Sequence, residues 1–398
     1  MTPKTAPTAA SSANQVPPES QAQLQALDQQ VRRLRDASVA DSTWNAYMSA
    51  WNRWARWASA HNLPILPARP SDVARWIVDD GASAAVSTIT TWTSAIGFVH
   101  RQAGHTSPLA DAELRDTLAG LRRNRRRAPA QAPPLWTSDV ERILAAIDDS
   151  PAGGESLADV RDRALVLLAF ASALRASELA ALQVGDLEPD TDGLIVRVRT
   201  SKTDQVGQGA FVGIPWAQRP QVCPVRAVDA WLTRLYAVLA AASPAVALEV
   251  GPQDPLDDGE QFGTSERSSA QRDPGPRLSL ARRRKLLAGI DGALFRSVRG
   301  NRLGTTTDAD PTRARLHRNR VGDIITRRAQ AAGLQTPGGG RYYSAHSTRA
   351  GFATQAAANG ASERAIMEQG RWKSLAVARG YIRRGGVFDD NAASRLGL

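Results

Sequence analysis

The chain has 398 residues with 50 lysines and arginines against 39 acids, a formal charge of +11, and 42% hydrophobic residues. That length and apolar content suffice for two cores, and the positive balance favours a polyanionic partner. A single cysteine, Cys223, excludes an internal disulfide framework and a cysteine-rich zinc site, and no apolar run reaches the roughly 18 residues of a membrane span.

Residues 1–40 open on Thr, Pro, Ala, Ser and Gln, too poor in large apolar groups to pack, so a mostly disordered tail is expected, with a helix starting near Glu19. Helical patterns follow at Asp41–Ala60, Ser71–Asp80, Ser87–Gln102 and Asp111–Arg123. In the first, Trp44, Tyr47, Met48, Trp51, Trp54, Ala55 and Ala58 recur at three- and four-residue steps and form one apolar stripe. Residues 41–127 therefore read as a helical bundle with a tryptophan-rich core.

Arg122, Arg123, Arg125, Arg126 and Arg127 crowd six positions before a proline-rich stretch, so 128–135 reads as a linker. Such arginines suit a strap along a phosphate backbone, which supplies salt-sensitive affinity without sequence information. Ser138-x-x-Glu141 is a capping-box pattern opening a helix over Asp139–Ile147 and a second domain, 136–398. The apolar run Ala164–Leu174 leads into Ala173-Leu174-Arg175-Ala176-Ser177-Glu178-Leu179, where Glu178 stands three residues after Arg175.

Leu194–Thr200 alternates with period two and Phe211–Pro215 reads as its return strand, which puts Lys202 towards a hairpin tip. Cys223 fills space in a turn, and Pro224–Leu239 reads as a long helix. The Pro/Gly-rich and acidic stretch after it suggests a disordered insertion over 246–285, with Arg282, Arg283, Arg284 and Lys285 as further phosphate contacts. Asn319–Ala332 carries Val321, Ile324, Ile325 and Ala329 on one face, with Arg318, Arg320, Arg327 and Arg328 outside it. The alanine-rich stretch Tyr343–Ala358 reads as a helix, with Tyr342 and Tyr343 as structural phenols. Val387–Leu398 forms a short apolar-faced tail.

The chemistry concentrates in His346-Ser347-Thr348-Arg349, Trp372 and Tyr381. A phenol with an ordinary pKa near 10 attacks phosphorus only if cations surround the phosphate and a base takes its proton. Arginine's planar fork donates to two phosphate oxygens and stays charged. His346 and Arg349, three apart, leave one helix face. The Trp372 indole N–H donates to oxygen without needing protonation, and Lys202 on its loop suits protonation of a leaving 5′ oxygen.

The ordered set Arg175, Lys202, His346-x-x-Arg349, Trp372, Tyr381 resembles the tyrosine recombinases of the phage integrase family, with a layout similar to the Cre-like members. The resemblance spans about residues 40–398 and thins between about 245 and 290. It implies a mainly α fold with a small antiparallel sheet, a helical core-binding domain and an α+β catalytic domain. It implies Arg175 and Arg349 as phosphate clamps, Lys202 as general acid, His346 as acid/base, Trp372 as oxygen donor, Tyr381 as nucleophile and Glu178 as support.

The resemblance also places Arg318, Asn319 and Arg320 near the major groove. It passes the 387–398 tail to a neighbouring protomer in a tetramer on duplex DNA with inverted-repeat half-sites. No cofactor and no metal is required, since Walker-type and metal-ligand spacings are missing from the sequence. The expected compartment is the cytoplasm at the nucleoid. A type IB topoisomerase, a telomere resolvase and a non-catalytic DNA-binding protein are the competing readings.

Overall fold

The computed structural model describes residues 39–125, 132–199, 209–242, 277–300, 302–304, 314–335 and 342–385, with residues 23, 26, 27, 29 and 30. The expectations for the 1–18 tail, Arg126, Arg127, Lys202, most of the insertion and the 387–398 tail lie outside these residues. The chain divides into two compact units, Met1–Ala130 and Gln131–Leu398.

The first unit is built on α1 (Asp41–Ala60), α2 (Pro70–Asp79), α3 (Val86–Gln102) and α4 (Ala112–Asn124), each within one residue of its sequence expectation. The starts have local causes. Pro70 sits in the first turn of α2, where its fixed φ is already helical and its missing N–H costs nothing. The Asp111 carboxylate accepts the Leu114 N–H at 2.9 Å to cap α4.

The apolar stripe of α1 meets α3, while α2 packs on α4. Trp54, Trp76, Ile77, Ile89 and Ile96 are fully buried. Trp54 donates its indole N–H to the Ile65 carbonyl at 3.0 Å and meets the Trp76 ring edge-on at 5.5 Å. Trp44, by contrast, is 45% exposed and meets the Phe98 ring edge-on, because the stripe outruns the bundle at its first turn. Arg125 departs from the strap reading. Its guanidinium donates to the carbonyls of Gly81 (2.7 Å) and Ala84 (3.0 Å), so it ties the end of α4 to the α2–α3 connection, whereas Arg122 and Arg123 are exposed.

His100 is fully buried, with Nε2 accepting the Ala68 N–H at 2.8 Å and Nδ1 2.7 Å from the Ile96 carbonyl. That pairing requires a neutral ring protonated on Nδ1. Burial, ahead of any other influence, holds its pKa below the ordinary imidazole value. A depressed histidine pKa contributes stability above the unfolded value of about 6.5 that is lost as pH falls through the folded value. We therefore expect the urea midpoint reported by tryptophan fluorescence to fall between about pH 7 and pH 5, and His100→Gln to flatten that slope; an unchanged slope would remove His100 as its source.

The second unit contains α5 (Thr137–Asp148), α6 (Leu157–Ser172) and α7 (Ala176–Ala181), followed by β1 (Leu187–Pro189), β2 (Gly193–Val198) and β3 (Ala210–Pro215). The sheet is antiparallel in the order β1-β2-β3. Leu194 faces Ile214 and Val196 faces Val212 across β2 and β3, and all four are buried. After it come α8 (Pro224–Ala242), α9 (Leu280–Ala288), the short pair β4 (Val298–Arg299) and β5 (Arg302–Leu303), then α10 (Arg318–Ala331), α11 (Ala345–Ala358), α12 (Glu363–Gly370) and α13 (Leu375–Gly385). The mainly α fold with a small antiparallel sheet is thus the observed one, accompanied by the short β4–β5 ladder. Helix α6 is buried on nearly every side between α8 and α11, so its second half from Ala164 reads as a nearly continuous apolar run.

Several local expectations are corrected. The α5 cap is Trp136, whose N–H is accepted by Asp139 at 2.9 Å; Asp139, at the third helical position, makes the bond that the Ser138-x-x-Glu141 pattern assigned elsewhere. The 246–285 insertion is overdrawn at its far end, because α9 begins at Leu280. Arg283 is buried there: it pairs with Asp229 at 3.1 Å, donates to the Gly193 carbonyl at 2.8 Å and lies over the Trp216 ring. It therefore holds α9 to α8 and the β1–β2 turn, not to phosphate. Tyr343 is buried, yet Tyr342 is 71% exposed and packs nothing comparable.

Candidate active site

Helix α6 ends at Ala173, which adopts the left-handed conformation (φ 49°) and turns the chain so that Arg175 caps α7. The Arg175 N–H donates to Glu178 Oε2 at 2.9 Å and its guanidinium to Oε1 at 2.6 Å. The three-residue spacing of Arg175 and Glu178 is therefore a helix-start geometry, with the carboxylate reaching back over one turn. Glu178 is buried, and Arg371 donates to its Oε2 at 2.9 Å. Burial raises the Glu178 pKa, but the Arg175 N–H and the charges of Arg371 and Arg175 outweigh it and hold the carboxyl below its ordinary value.

Helix α11 delivers Arg349. Its start is fixed by Ser344, whose hydroxyl accepts the His346 N–H at 3.3 Å and whose own N–H donates to Ser347 Oγ at 3.0 Å. The helix lies so close to the strand-like segment before α5 that a Cβ on Gly351 would stand 1.9 Å from the Leu135 carbonyl oxygen. Arg349 is 5% exposed and donates to the carbonyls of Ala173 and Gly370, which joins the turn before Arg175 to the turn before Trp372. His346 stands one turn earlier on the same helix and is exposed.

Gly370 closes α12. A Cβ there would lie 1.8 Å from the Trp372 ring, so only glycine lets the indole fold back over the helix end. Arg371 follows at φ 54°, a left-handed conformation that costs a non-glycine residue about 1 kcal/mol. Trp372 is buried, lies 4.1 Å from the Arg349 guanidinium and has its ring centre 5.7 Å from that of Tyr381. Tyr381 is half-buried on α13, and its carbonyl accepts the Thr354 hydroxyl at 3.3 Å, which fixes α13 on α11. Gln369 ties α12 to the end of α6 and to β3 through the carbonyls of Ala171 (3.1 Å) and Gly213 (3.0 Å).

Six residues foreseen from sequence, Arg175, Glu178, His346, Arg349, Trp372 and Tyr381, thus fall at the start of α7, on α11, just after α12 and on α13. Ion pairs and ring contacts link Arg175, Glu178, Arg349, Trp372 and Tyr381, with Arg371 as the bridge between the two turns, while His346 is exposed. Arg371 was not foreseen. Its only signal was an arginine where a helix end commonly takes glycine.

Arg175 and Arg371 both bind Glu178, and Arg349 lies close enough to feel all three charges, which leaves an excess of positive charge. Burial first, then the charges of Arg175 and Arg371, pull the Arg349 pKa down to about 10, still charged at neutral pH. An anion entering the space would relieve that repulsion. Beside Glu178 a cleft of about 340 Å³, lined also by Asp186, Arg197 and Arg199, opens at the C-terminal end of β2.

On α10, Arg318, Asn319 and Arg320 are exposed, and Arg320 pairs with Asp323 at 3.3 Å. Arg328, which its spacing sets outside the apolar face of α10, is nonetheless only 14% exposed and bridges Asp159 (2.6 Å) and Asp162 (2.8 Å). Arg327 is 64% exposed and reaches Asp162 at 3.3 Å. Together they fasten α10 to α6.

Among the described residues, no helix is long and apolar enough to cross a membrane. No protein-family model matches the chain. It is 28% identical over 374 residues to an integrase/recombinase XerD homologue of Selenomonas ruminantium, covering 93% of this chain and 89% of the relative. The XerH site-specific recombinase solved on its palindromic difH substrate aligns at 13% identity over 89% of this chain and 78% of its own, with a TM-score of 0.52, and shares the fold. A lambda integrase dimer on a core site aligns at 16% identity over 92% and 78%, with a TM-score of 0.49. The likeness in sequence to that integrase/recombinase homologue runs along nearly the whole chain, and the clustered arginines stand beside a tyrosine in a fold shared with the XerH recombinase.

Proposed function

We propose that the protein is a site-specific DNA recombinase that cuts and rejoins strands through a 3′-phosphotyrosyl intermediate. The observation that carries this reading is the contact chain from Arg349 through the Trp372 ring to Tyr381, set beside Arg175 and Glu178. Tyr381 Oη attacks the scissile phosphorus as its proton passes to a base, and the bond to the 5′ oxygen breaks. Lys202 protonates that oxygen. Arg175, Arg349 and the Trp372 indole N–H stabilise the negative charge that builds on the non-bridging oxygens. His346 acts as acid and base, taking the proton when the partner strand's 5′ hydroxyl attacks the phosphotyrosine.

Each cleavage uses one tyrosine, so exchanging two duplexes through a Holliday junction uses four, and a tetramer on DNA follows from the stoichiometry. Inverted-repeat half-sites suit paired protomers, and the XerH relative was solved on a palindromic substrate. Arg122 and Arg123, with Arg126 and Arg127, serve the phosphate backbone, while Arg318, Asn319 and Arg320 read bases. Arg125 keeps only the N–H groups left over from its contacts with Gly81 and Ala84 for that role. The cytoplasm at the nucleoid is the compartment in which such a reaction finds its substrate.

The test is recovery of protein-bound DNA under denaturing conditions from cells carrying the native replicon. After nuclease digestion, a nucleotide remnant on the Tyr381 peptide and reads at one inverted repeat are the expected result. A remnant on Tyr342 or Tyr343 would displace Tyr381, and no adduct would favour a protein that only binds DNA. Efficient relaxation of a supercoiled plasmid lacking that repeat would favour a type IB topoisomerase, and hairpin ends a telomere resolvase.

A further inference from the structure

Resting on the recombinase reading, we propose that Arg371 is a positioning residue for strand cleavage: through Glu178 it locks the turn that carries Trp372 to the helix start that carries Arg175. The chain pays no attention to local preference at this position, where the left-handed conformation suits glycine and an arginine stands instead. What the arginine gains is a partner. Its guanidinium reaches Glu178 Oε2 at 2.9 Å with both side chains largely buried, 11% and 2% exposed.

Glu178 is thereby held from two sides. Arg175 binds it through the backbone N–H and the guanidinium, from the start of α7. Arg371 binds it from the residue next to Trp372. The carboxylate joins segments 193 residues apart in sequence that carry two of the groups assigned to the phosphate. Arg349 spans the same gap through the carbonyls of Ala173 and Gly370, so two arginine braces run in parallel between the two turns. Arg371 also raises the positive charge felt at Arg349, whose pKa it helps to depress. Removing Arg371 leaves Arg175 and Trp372 in place but frees the angle between them. A misplacement of about 1 Å is enough to slow a reaction by roughly 10²-fold.

The test uses the full chain and a nicked synthetic duplex bearing the inverted repeat recovered with the wild-type adduct. Single-turnover adduct formation and duplex affinity are measured separately for wild type, Arg371→Gly and Arg371→Lys. Glycine adopts the left-handed turn without strain, so Arg371→Gly should fold and bind duplex within about threefold of wild type while forming adduct about 10–100-fold more slowly. Arg371→Lys should recover part of the rate. Arg371→Asn, which also tolerates the turn, supplies the same comparison if the glycine variant loosens it.

A second substrate carries sulfur at the 5′ bridging position, a leaving group that departs without a proton. The defect should persist on it, because the lost function is alignment of the phosphate clamp. An Arg371→Gly rate equal to wild type overturns the inference, as does a rate loss matched by lost affinity, or full recovery on the sulfur substrate. Wild-type protein that forms no adduct overturns the recombinase reading itself, whereas normal wild-type adduct with an undiminished glycine variant overturns this inference alone.

Discussion

Tyr381→Phe is expected to bind its DNA site with undiminished affinity and to form no covalent adduct. The substitution removes one oxygen from a half-buried ring and leaves the aromatic contact with Trp372, 5.7 Å between centres, available to the phenylalanine. The packing of α13 on α11 rests partly on the Thr354 hydroxyl bond to the residue-381 carbonyl, which the side chain does not affect. Fold and binding should therefore persist while the nucleophile is gone. The measurement is denaturing gel analysis of protein incubated with a nicked duplex of the recovered site. Adduct at the wild-type level would remove Tyr381 from the chemistry and turn attention to the exposed Tyr342.

Arg349→Lys is expected to lower the rate of adduct formation by about 10²–10³-fold, the usual loss of a preorganised donor at a developing oxyanion. Charge is conserved in this variant, so the effect isolates geometry. The guanidinium spans the carbonyls of Ala173 and Gly370 while its plane lies 4.1 Å from the Trp372 ring, and its other N–H groups remain for phosphate. An ammonium on a flexible stem cannot hold both carbonyls and face an anion at once. Because Arg349 is buried and joins both turns, some stability should also be lost, on the order of 1–3 kcal/mol for a carbonyl left without its donor. Single-turnover rates measured alongside thermal melts separate the two losses. A lysine variant that cleaves within threefold of wild type would show that charge alone, without the planar fork, is sufficient.

Much of this organisation was already legible in the chain. The periodic tryptophans of 41–60 specified an amphipathic helix whose bounds the structure reproduces, because an apolar stripe at 3.6-residue spacing has one stable solution, burial against other helices. The spacing of Arg175 and Glu178, and of His346 and Arg349, placed each pair on neighbouring positions of one helix turn for the same local reason. Tryptophan and tyrosine nine residues apart carried a chemical signal without a geometric one; their 5.7 Å approach exists only because α13 folds back on α11.

Other assignments failed where a charge alone was visible. Arg125, Arg283 and Arg328 read as candidates for solvent or phosphate, and each instead satisfies carbonyls or carboxylates inside the protein. A sequence shows that an arginine is charged but not whether an acceptor waits across the fold, and burial without such a partner would cost several kcal/mol. Arg371 is the sharpest case, since its partner Glu178 lies 193 residues away. The helical framework, the kinds of chemical group and their order were legible before any fold, because these follow from local periodicity and residue chemistry. Tertiary structure alone decided which arginines meet at Glu178, since long-range pairing depends on how α6, α11 and α12 converge, which no local pattern encodes.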